Sequence, residues 1–297
     1  MNPWYSLLVL AASVLPNLSH AMDVECSDWQ TKHPTWLWCD DFESDSALET
    51  NYFDVNRASG RFGVVSETAY GGTHALRNSY AVGVEDAGGL KLSFGKTPVS
   101  PKRYTDRNFD DVYWRFYMKT GPGWVGQPLK VTRATVFVSS NWAQAAIGHL
   151  WEDNALGMGL DPASGVSGSS VVTTGWNDFP NLKWLGKADG KVQVYAPENR
   201  EKWYCVEVHM KLNTPGASDG TFEFWIDDQL QANKSNLNWR GGYTSYGINA
   251  LTLEGWVNDG AARNQSRYFD NLVVSTNKIG CYASAKRPNP PENVNAQ

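Results

Sequence analysis

WYCVEVHMKLNTPGASDGTFEFWIDDQL, residues 203–230, reads as two β-strands joined by a polar turn. In the first strand Tyr204, Val206, Val208, Met210 and Leu212 alternate with Trp203, Cys205, Glu207, His209 and Lys211. In the second, Phe222, Phe224 and Ile226 alternate with Thr221, Glu223, Trp225 and Asp227. Period-two alternation sends one set into a core and the other to the opposite face of a sheet. That opposite face carries Trp, Glu, His and Trp rather than the Ser, Thr and Lys of a merely solvated sheet. Aromatic rings beside ionisable groups suit a sugar polymer, whose rings stack on aromatics and whose hydroxyls or carboxylates take polar partners.

Outward from this hairpin the same period recurs in RFGVVSE, HALRNSYAV, GLKLSFG, VYWRFYMKT, ATVFVSS, AAIGHLWE, KVQVYAP, ALTLEGWV and YFDNLVVS, separated by Gly, Asn, Asp and Pro. No long window of helical periodicity competes with them. Many short strands with turn clusters predict an all-β sandwich or jelly roll. One domain is expected over residues 22–284, a normal length for such a sandwich. The Pro- and Asn-rich tail 285–297 is expected to be disordered.

Residues 1–21 have the form of a secretory signal peptide, with an apolar run from Leu7 to Leu15 and a small-x-small pattern at Ser19-His20-Ala21. That run falls short of the roughly 20 apolar residues that span a bilayer, so no membrane anchor is expected. Four cysteines fit export to an oxidising compartment, extracellular or periplasmic. Three pairings are open to them; the expected one is Cys26 with Cys39 and Cys205 with Cys281. No CxxC or clustered Cys/His spacing supports a zinc site. A net charge of −5 argues against nucleic acid as a partner, while a local basic cleft still permits an anionic glycan. A monomer is expected.

Four segments, in order, carry a resemblance: DDFE at Asp40 to Glu43, YWRFYMKTGPGW at 113–124, the 203–230 hairpin, and RYFDNLVVS at 267–275. Together they resemble the concanavalin A-like lectin/glucanase superfamily, and within it the jelly-roll polysaccharide lyases such as heparin lyase I and the alginate and glucuronan lyases. The resemblance implies two antiparallel sheets, one curved into a groove. It also implies β-elimination on a uronate polymer, in which a base removes the C5 proton. A cationic or amide group neutralises the carboxylate, and an acid protonates the leaving oxygen. The C5 proton is too weakly acidic to leave until its carboxylate is neutralised.

For these roles the resemblance implies His149 as base, Arg115 or Arg133 as carboxylate partner and Tyr117 as proton donor, with His209 a further candidate. Lys130, Gln144, Glu207, Glu223 and Glu254 are candidate substrate-binding residues. Trp151, Trp225 and Trp256 join them as stacking platforms, because alternation puts all three on polar-face positions. Two lyase signatures, Gln-Ile-His and the YFKAG-type strand, are absent. In many carbohydrate-active jelly rolls the first strand's acid and the last strand's Asp bracket a structural Ca²⁺; Glu43 and Asp270 match those places, and hard oxygen ligands suit that ion.

The predicted function is therefore a secreted lyase of an anionic, uronate-containing polysaccharide, with a non-catalytic carbohydrate-binding domain as the alternative. A glycoside hydrolase ranks last. It needs two carboxylates straddling the bond, and the one-strand Glu-x-Asp-x-Glu pattern of jelly-roll glucanases is broken in both FEFWIDD and WEDNALG.

Overall fold

In the computed structural model, which describes residues 24–282 apart from 101–102, 127–128 and 153–155, the expected alternation becomes two stacked antiparallel sheets. The leader 1–21 and the tail 285–297 lie outside the described residues. In chain order the strands are β1 Trp36–Asp40, β2 Asp54–Asn56, β3 Phe62–Val65, β4 Ala75–Tyr80, β5 Asp86–Ser93, β6 Asp111–Thr120, β7 Leu129–Phe137, β8 Gln144–Glu152 and β9 Met158–Ser164. They continue with β10 Val166–Ser167, β11 Ser170–Val171, β12 Lys183–Trp184, β13 Ala188–Asp189, β14 Tyr204–Lys211, β15 Gly220–Ile226, β16 Gln229–Leu237, β17 Ala250–Trp256 and β18 Gln265–Ser275. Sheet A runs β16-β15-β14-β6-β18-β4-β3, with β1 also on β18. Sheet B runs β12-β9-β8-β7-β17-β5-β2, with β13 also on β9. This is a jelly-roll β-sandwich.

The inner faces follow the apolar phase of each strand. Val206, Val208 and Met210 of β14 and Trp114 and Phe116 of β6 meet Leu150, Leu160, Leu251 and Leu253 of sheet B in one buried cluster. Burying each such side chain contributes about 1.5–3 kcal/mol. The sheets approach closely at Gly148, where a Cβ would come within 3.0 Å of Met210 Sδ and 3.1 Å of the Phe222 ring. The disulfides Cys26–Cys39 and Cys205–Cys281 form as expected, with Cα atoms 5.4 and 5.9 Å apart. The first ties the N-terminal segment to β1, the second ties β14 to the C-terminal segment.

One expected strand is not a strand. KVQVYAP is irregular chain whose Val194 and Tyr195 plug the core. Its backbone is satisfied outside a ladder: Gln231 Oε1 accepts the amides of Lys191 and Val192, and the Tyr195 amide donates to Leu156 O. Conversely β9, with Asp161 and Pro162 in MGLDPAS, and β16, QLQANKSNL, carry too little apolar alternation to be read as strands. Among the described residues no helix is long and apolar enough to cross a membrane.

Candidate functional site

The opening hairpin predicts a sugar-facing surface on sheet A, yet there the ionisable side chains are spent on one another. Arg115 is fully buried, its guanidinium forked on Glu25, with Nη1 2.9 Å from Oε2 and Nη2 on Oε1. Tyr117 stacks on Tyr70 at 3.5 Å and its hydroxyl donates to Tyr282 O at 2.7 Å while accepting the Tyr282 amide. Glu207 accepts the amides of Ile279 (2.6 Å) and Gly280 (3.1 Å). His209 sits between Asp111 (2.7 Å) and Glu223 (2.9 Å) with Tyr113 stacked at 4.0 Å, and Lys278 lies 4.5 Å from the Trp225 ring. The segment 279–282, pinned by Cys205–Cys281, thus closes much of this face.

Arg115, Tyr117, Glu207, His209, Glu223 and Trp225 consequently do not join His149. They project from the outer face of sheet A, and His149 from the outer face of sheet B, with the core between. The expected triad of His149, Arg115 and Tyr117 does not assemble. Nor do Glu207 and Glu223, on sheet A, meet Glu254, on sheet B, across a groove.

Arg133, Lys130, Gln144, His149, Trp151, Glu254 and Trp256 do come together, on the outer face of sheet B, around an open groove of about 470 Å³. Its wall is completed by the loop 173–182, tied down where Gln144 Oε1 accepts the Asn177 amide (3.0 Å) and Thr173 Oγ1 bridges both the amide and carbonyl of Gln144. Gln144 therefore holds the wall rather than facing the groove. Asn177 takes the left-handed conformation (φ 53°) that asparagine tolerates better than most residues.

Arg133 is the hub. Its guanidinium stacks 3.8 Å from the Trp176 ring, Nη1 reaches Asn177 Oδ1 (2.7 Å) and His149 Nε2 (3.2 Å), and Nη2 reaches Glu254 Oε2 (3.1 Å). Arginine has no acceptor, so the atom Asn177 turns to it must be the carbonyl oxygen, and His149 must present the lone pair of Nε2. The imidazole is then neutral and protonated on Nδ1. Burial holds His149 well below the usual histidine range, the charges of Arg133 and Lys130 add to this, and the Asp161 backbone opposes them. The ring is fully buried under Trp151 (5.4 Å) and Trp184 (6.1 Å), with its one lone pair engaged. This is poor placement for a base that must touch a substrate.

Lys130 is better placed. Its ammonium lies 5.7, 5.9 and 5.8 Å from the rings of Trp151, Phe179 and Trp256, and it lines the groove. Burial lowers its pKa, Glu254 opposes that, and Arg133 adds to it; the three ring faces also favour the cation. Lys91, the third cation of the groove, is neutralised by Asp54 and rests 4.9 Å from Trp142 and 5.2 Å from Trp176.

Beneath this surface a residue of the other sheet sets the backbone. The register of β7 on β8 slips between Lys130 and Thr132, and that of β17 on β5 slips between Glu254 and Trp256. Arg267, fully buried on the core side of β18, donates through Nη2 to both Lys130 O (2.9 Å) and Glu254 O (2.6 Å). It clamps two irregular positions from below, as β-bulges commonly re-aim side chains at sites. Sequence reading missed Arg267, although a charge in phase with Phe269 was its signal. It also missed Lys91 on β5, and Trp176, Asn177, Phe179 and Trp184, because the stretch 173–184 has no period at all.

At the opposite corner Glu43 accepts from the amides of Thr73 (2.7 Å) and His74 (3.0 Å), from Thr73 Oγ1 (2.6 Å) and from His74 Nδ1 (3.1 Å). Asp270 accepts the amides of Tyr70, Gly71 and Asn271 at 2.7, 3.1 and 2.8 Å. Burial pushes the Asp270 carboxyl up to about 8, with the Glu43 charge adding to it. Asn271 Oδ1 is a buried acceptor without a hydrogen-bond donor, and it lies beside Gly71 in the same loop. Glu43 and Asp270 thus spend their oxygens on donors of the protein, and Asn271 Oδ1 is the unmatched oxygen that a hard cation at this corner would use.

No family model matches the chain, and no curated protein matches it. Among solved structures it is similar to an endo-β-1,4-glucuronan lyase from the fungus Trichoderma reesei (12% identity, TM-score 0.56, 82% of this chain and 96% of that one). It is similar to the same degree to alginate lyase vAL-1 from Chlorella virus (12%, 0.56, 81% and 99%) and to the PL-14 alginate lyase from Aplysia kurodai (12%, 0.56, 81% and 98%). At this identity the likeness is one of fold, the fold of jelly-roll polysaccharide lyases.

Proposed function

We propose that this protein is a polysaccharide lyase that cleaves a uronate-containing polymer by β-elimination in the sheet B groove. The observation that carries this is the convergence of Lys130 and Arg133 with Trp151, Trp176, Phe179 and Trp256 in one open groove. Cations recognise carboxylates and aromatic rings hold pyranoses; few other ligands need both in a cleft of this shape. The fold shared with alginate and glucuronan lyases agrees with it.

The carboxamide nitrogen of Asn177, its oxygen held by the buried Arg133 guanidinium behind it, takes the uronate carboxylate, which lets the C5 proton leave. Lys130, in its neutral form, accepts that proton. The C5–H electrons form the C4=C5 double bond, the C4–O4 bond breaks, and the Lys130 ammonium returns its proton to O4 on the same side of the sugar. One residue serving as base and acid implies syn elimination. His149 is a positioning residue: its Nε2 lone pair and the Glu254 carboxylate fix the Arg133 fork. Export is part of the proposal, since two disulfides suit an oxidising compartment, and so is a structural calcium ion at Glu43 and Asp270.

Among the described residues no tyrosine lines the groove. That favours, as the second reading, a domain that binds the polymer without cleaving it. Mass spectrometry of digests of polyglucuronate, polymannuronate and mixed uronate polymers separates the two. Products with an unsaturated uronate end support the lyase. Retarded migration in affinity electrophoresis with no products supports binding alone, and saturated ends would mean hydrolysis and overturn both.

A further inference from the structure

The groove is not uniform in charge. Across sheet B the strand order at the groove is β8, β7, β17, β5 and β2, and neighbouring strands lie about 4.8 Å apart. The two cations proposed to act on the uronate, Lys130 and Arg133, stand on β7. On β17, Glu254 and Trp256 share the outer face, and on β5 Asp86 lies directly across from Trp256. Asp86 Oδ2 accepts from Asn56 Nδ2 (2.7 Å) and Oδ1 from the Gly88 amide (2.8 Å). Asn56 and Asn258 complete the rim, and the Trp256 indole is 37% exposed. Lys91, the cation on this side, is already paired with Asp54.

An exposed indole ringed by a carboxylate and two carboxamides is a place for a sugar with hydroxyls and no carboxylate. The pyranose face stacks on Trp256, and its hydroxyls donate to Asp86, Asn56 and Asn258. A uronate in the same position would bring its negative charge against Asp86, whose carboxylate is met only by the neutral Asn56 carboxamide and Gly88 amide, while Lys130, 5.8 Å from the Trp256 ring, is committed to the reacting sugar. Two like charges about 5 Å apart in a half-buried cleft cost enough to lower affinity about tenfold or more.

We infer that the groove holds a neutral sugar on Trp256 and Asp86 beside the uronate that meets Lys130 and Asn177. The preferred polymer is therefore a heteropolysaccharide in which uronates are flanked by neutral residues, not a homopolymer of uronate. This rests on the proposal that the groove is the site of elimination, and it adds the neighbour of the reacting sugar. Asp86 and Trp256 are the residues that set the choice.

The test compares polyglucuronate with deacylated gellan, whose glucuronates have neutral neighbours, by ultraviolet absorbance of unsaturated ends and by affinity electrophoresis. Wild-type protein should favour gellan by about tenfold or more. Asp86→Asn, which keeps the Asn56 and Gly88 contacts within reach, should narrow the ratio several-fold, and Trp256→Ala should weaken gellan more than polyglucuronate. Equal or better use of polyglucuronate by the wild type overturns the inference and leaves the lyase proposal intact. If neither polymer yields unsaturated ends the lyase proposal fails, and the order of electrophoretic retardation alone then supports or overturns the neutral-sugar subsite.

Discussion

Removing Glu25 should destabilise the protein severely without touching the groove. Arg115 and Glu25 are both buried on sheet A, and Glu25 also accepts Asn271 Nδ2 at 2.9 Å. Glu25→Ala strands a guanidinium in a site shut from water, where its cross-strand neighbour Glu207 is already engaged by the Ile279 and Gly280 amides. Breaking a buried pair from one side typically costs about 3–5 kcal/mol. For a domain of this size each kcal/mol moves the melting temperature by about 2–4 °C, so a fall of about 6–20 °C is expected. The paired replacement Glu25→Leu with Arg115→Met removes both charges together and should recover most of that loss. Thermal melts followed by tryptophan fluorescence, with elimination rates measured well below the melt, read both consequences. The double variant should keep wild-type activity, because Arg115 lies across the core from Lys130. A double variant that melts like the wild type but has lost activity would refute the separation of the two faces and return Arg115 to the chemistry. A Glu25→Ala melt within about 2 °C of wild type would refute the energetic argument.

Arg267→Met frees the carbonyls of Lys130 and Glu254, at about 1–3 kcal/mol for each unsatisfied group. It should lower kcat more than it raises KM, and Arg267→Lys, keeping one donor, should recover part of both stability and rate; equal loss in the two variants would count against the clamp. His149 titrates well below the usual range in the folded chain, so the unfolded chain binds the extra proton as pH falls. Its contribution is therefore complete above about pH 6.5 and is lost on acidification by up to about 1.4 kcal/mol per pH unit. Denaturant melts of wild type and His149→Gln between neutral and mildly acid pH should diverge by that slope, and parallel curves would contradict the burial argument. If calcium occupies the Glu43 and Asp270 corner, chelation lowers the melting temperature of the wild type and leaves Asp270→Asn unmoved; a wild-type melt indifferent to chelator removes the ion from the account.

The sandwich was legible because most of its longer strands keep a period of two, as in Val206, Val208 and Met210. The groove was legible in part: His149, Trp151, Lys130, Arg133, Glu254 and Trp256 were each read as candidate site residues. Alternation gives the face of a strand but not which of two sheets the strand joins. That is why Arg115 and Tyr117, identical in pattern to Arg133, were grouped with it. Residues 203–230 misled for a related reason: a polar face looks the same in sequence whether it is open to a ligand or closed by Ile279, Gly280 and Tyr282. Trp176, Asn177 and Phe179 come from an irregular loop, and nothing in their spacing could signal that Gln144 fastens it over the groove.

The central claim is that Lys130 performs elimination in the sheet B groove. It is tested most directly by the initial rate of ultraviolet absorbance from unsaturated uronate, measured for wild type and Lys130→Met on the same polymer. The account predicts a steady rise for the wild type and a loss of about 10²–10⁴-fold in the variant, the range for removing a general acid–base group, with substrate still retained in affinity electrophoresis. A variant that eliminates at the wild-type rate would contradict it.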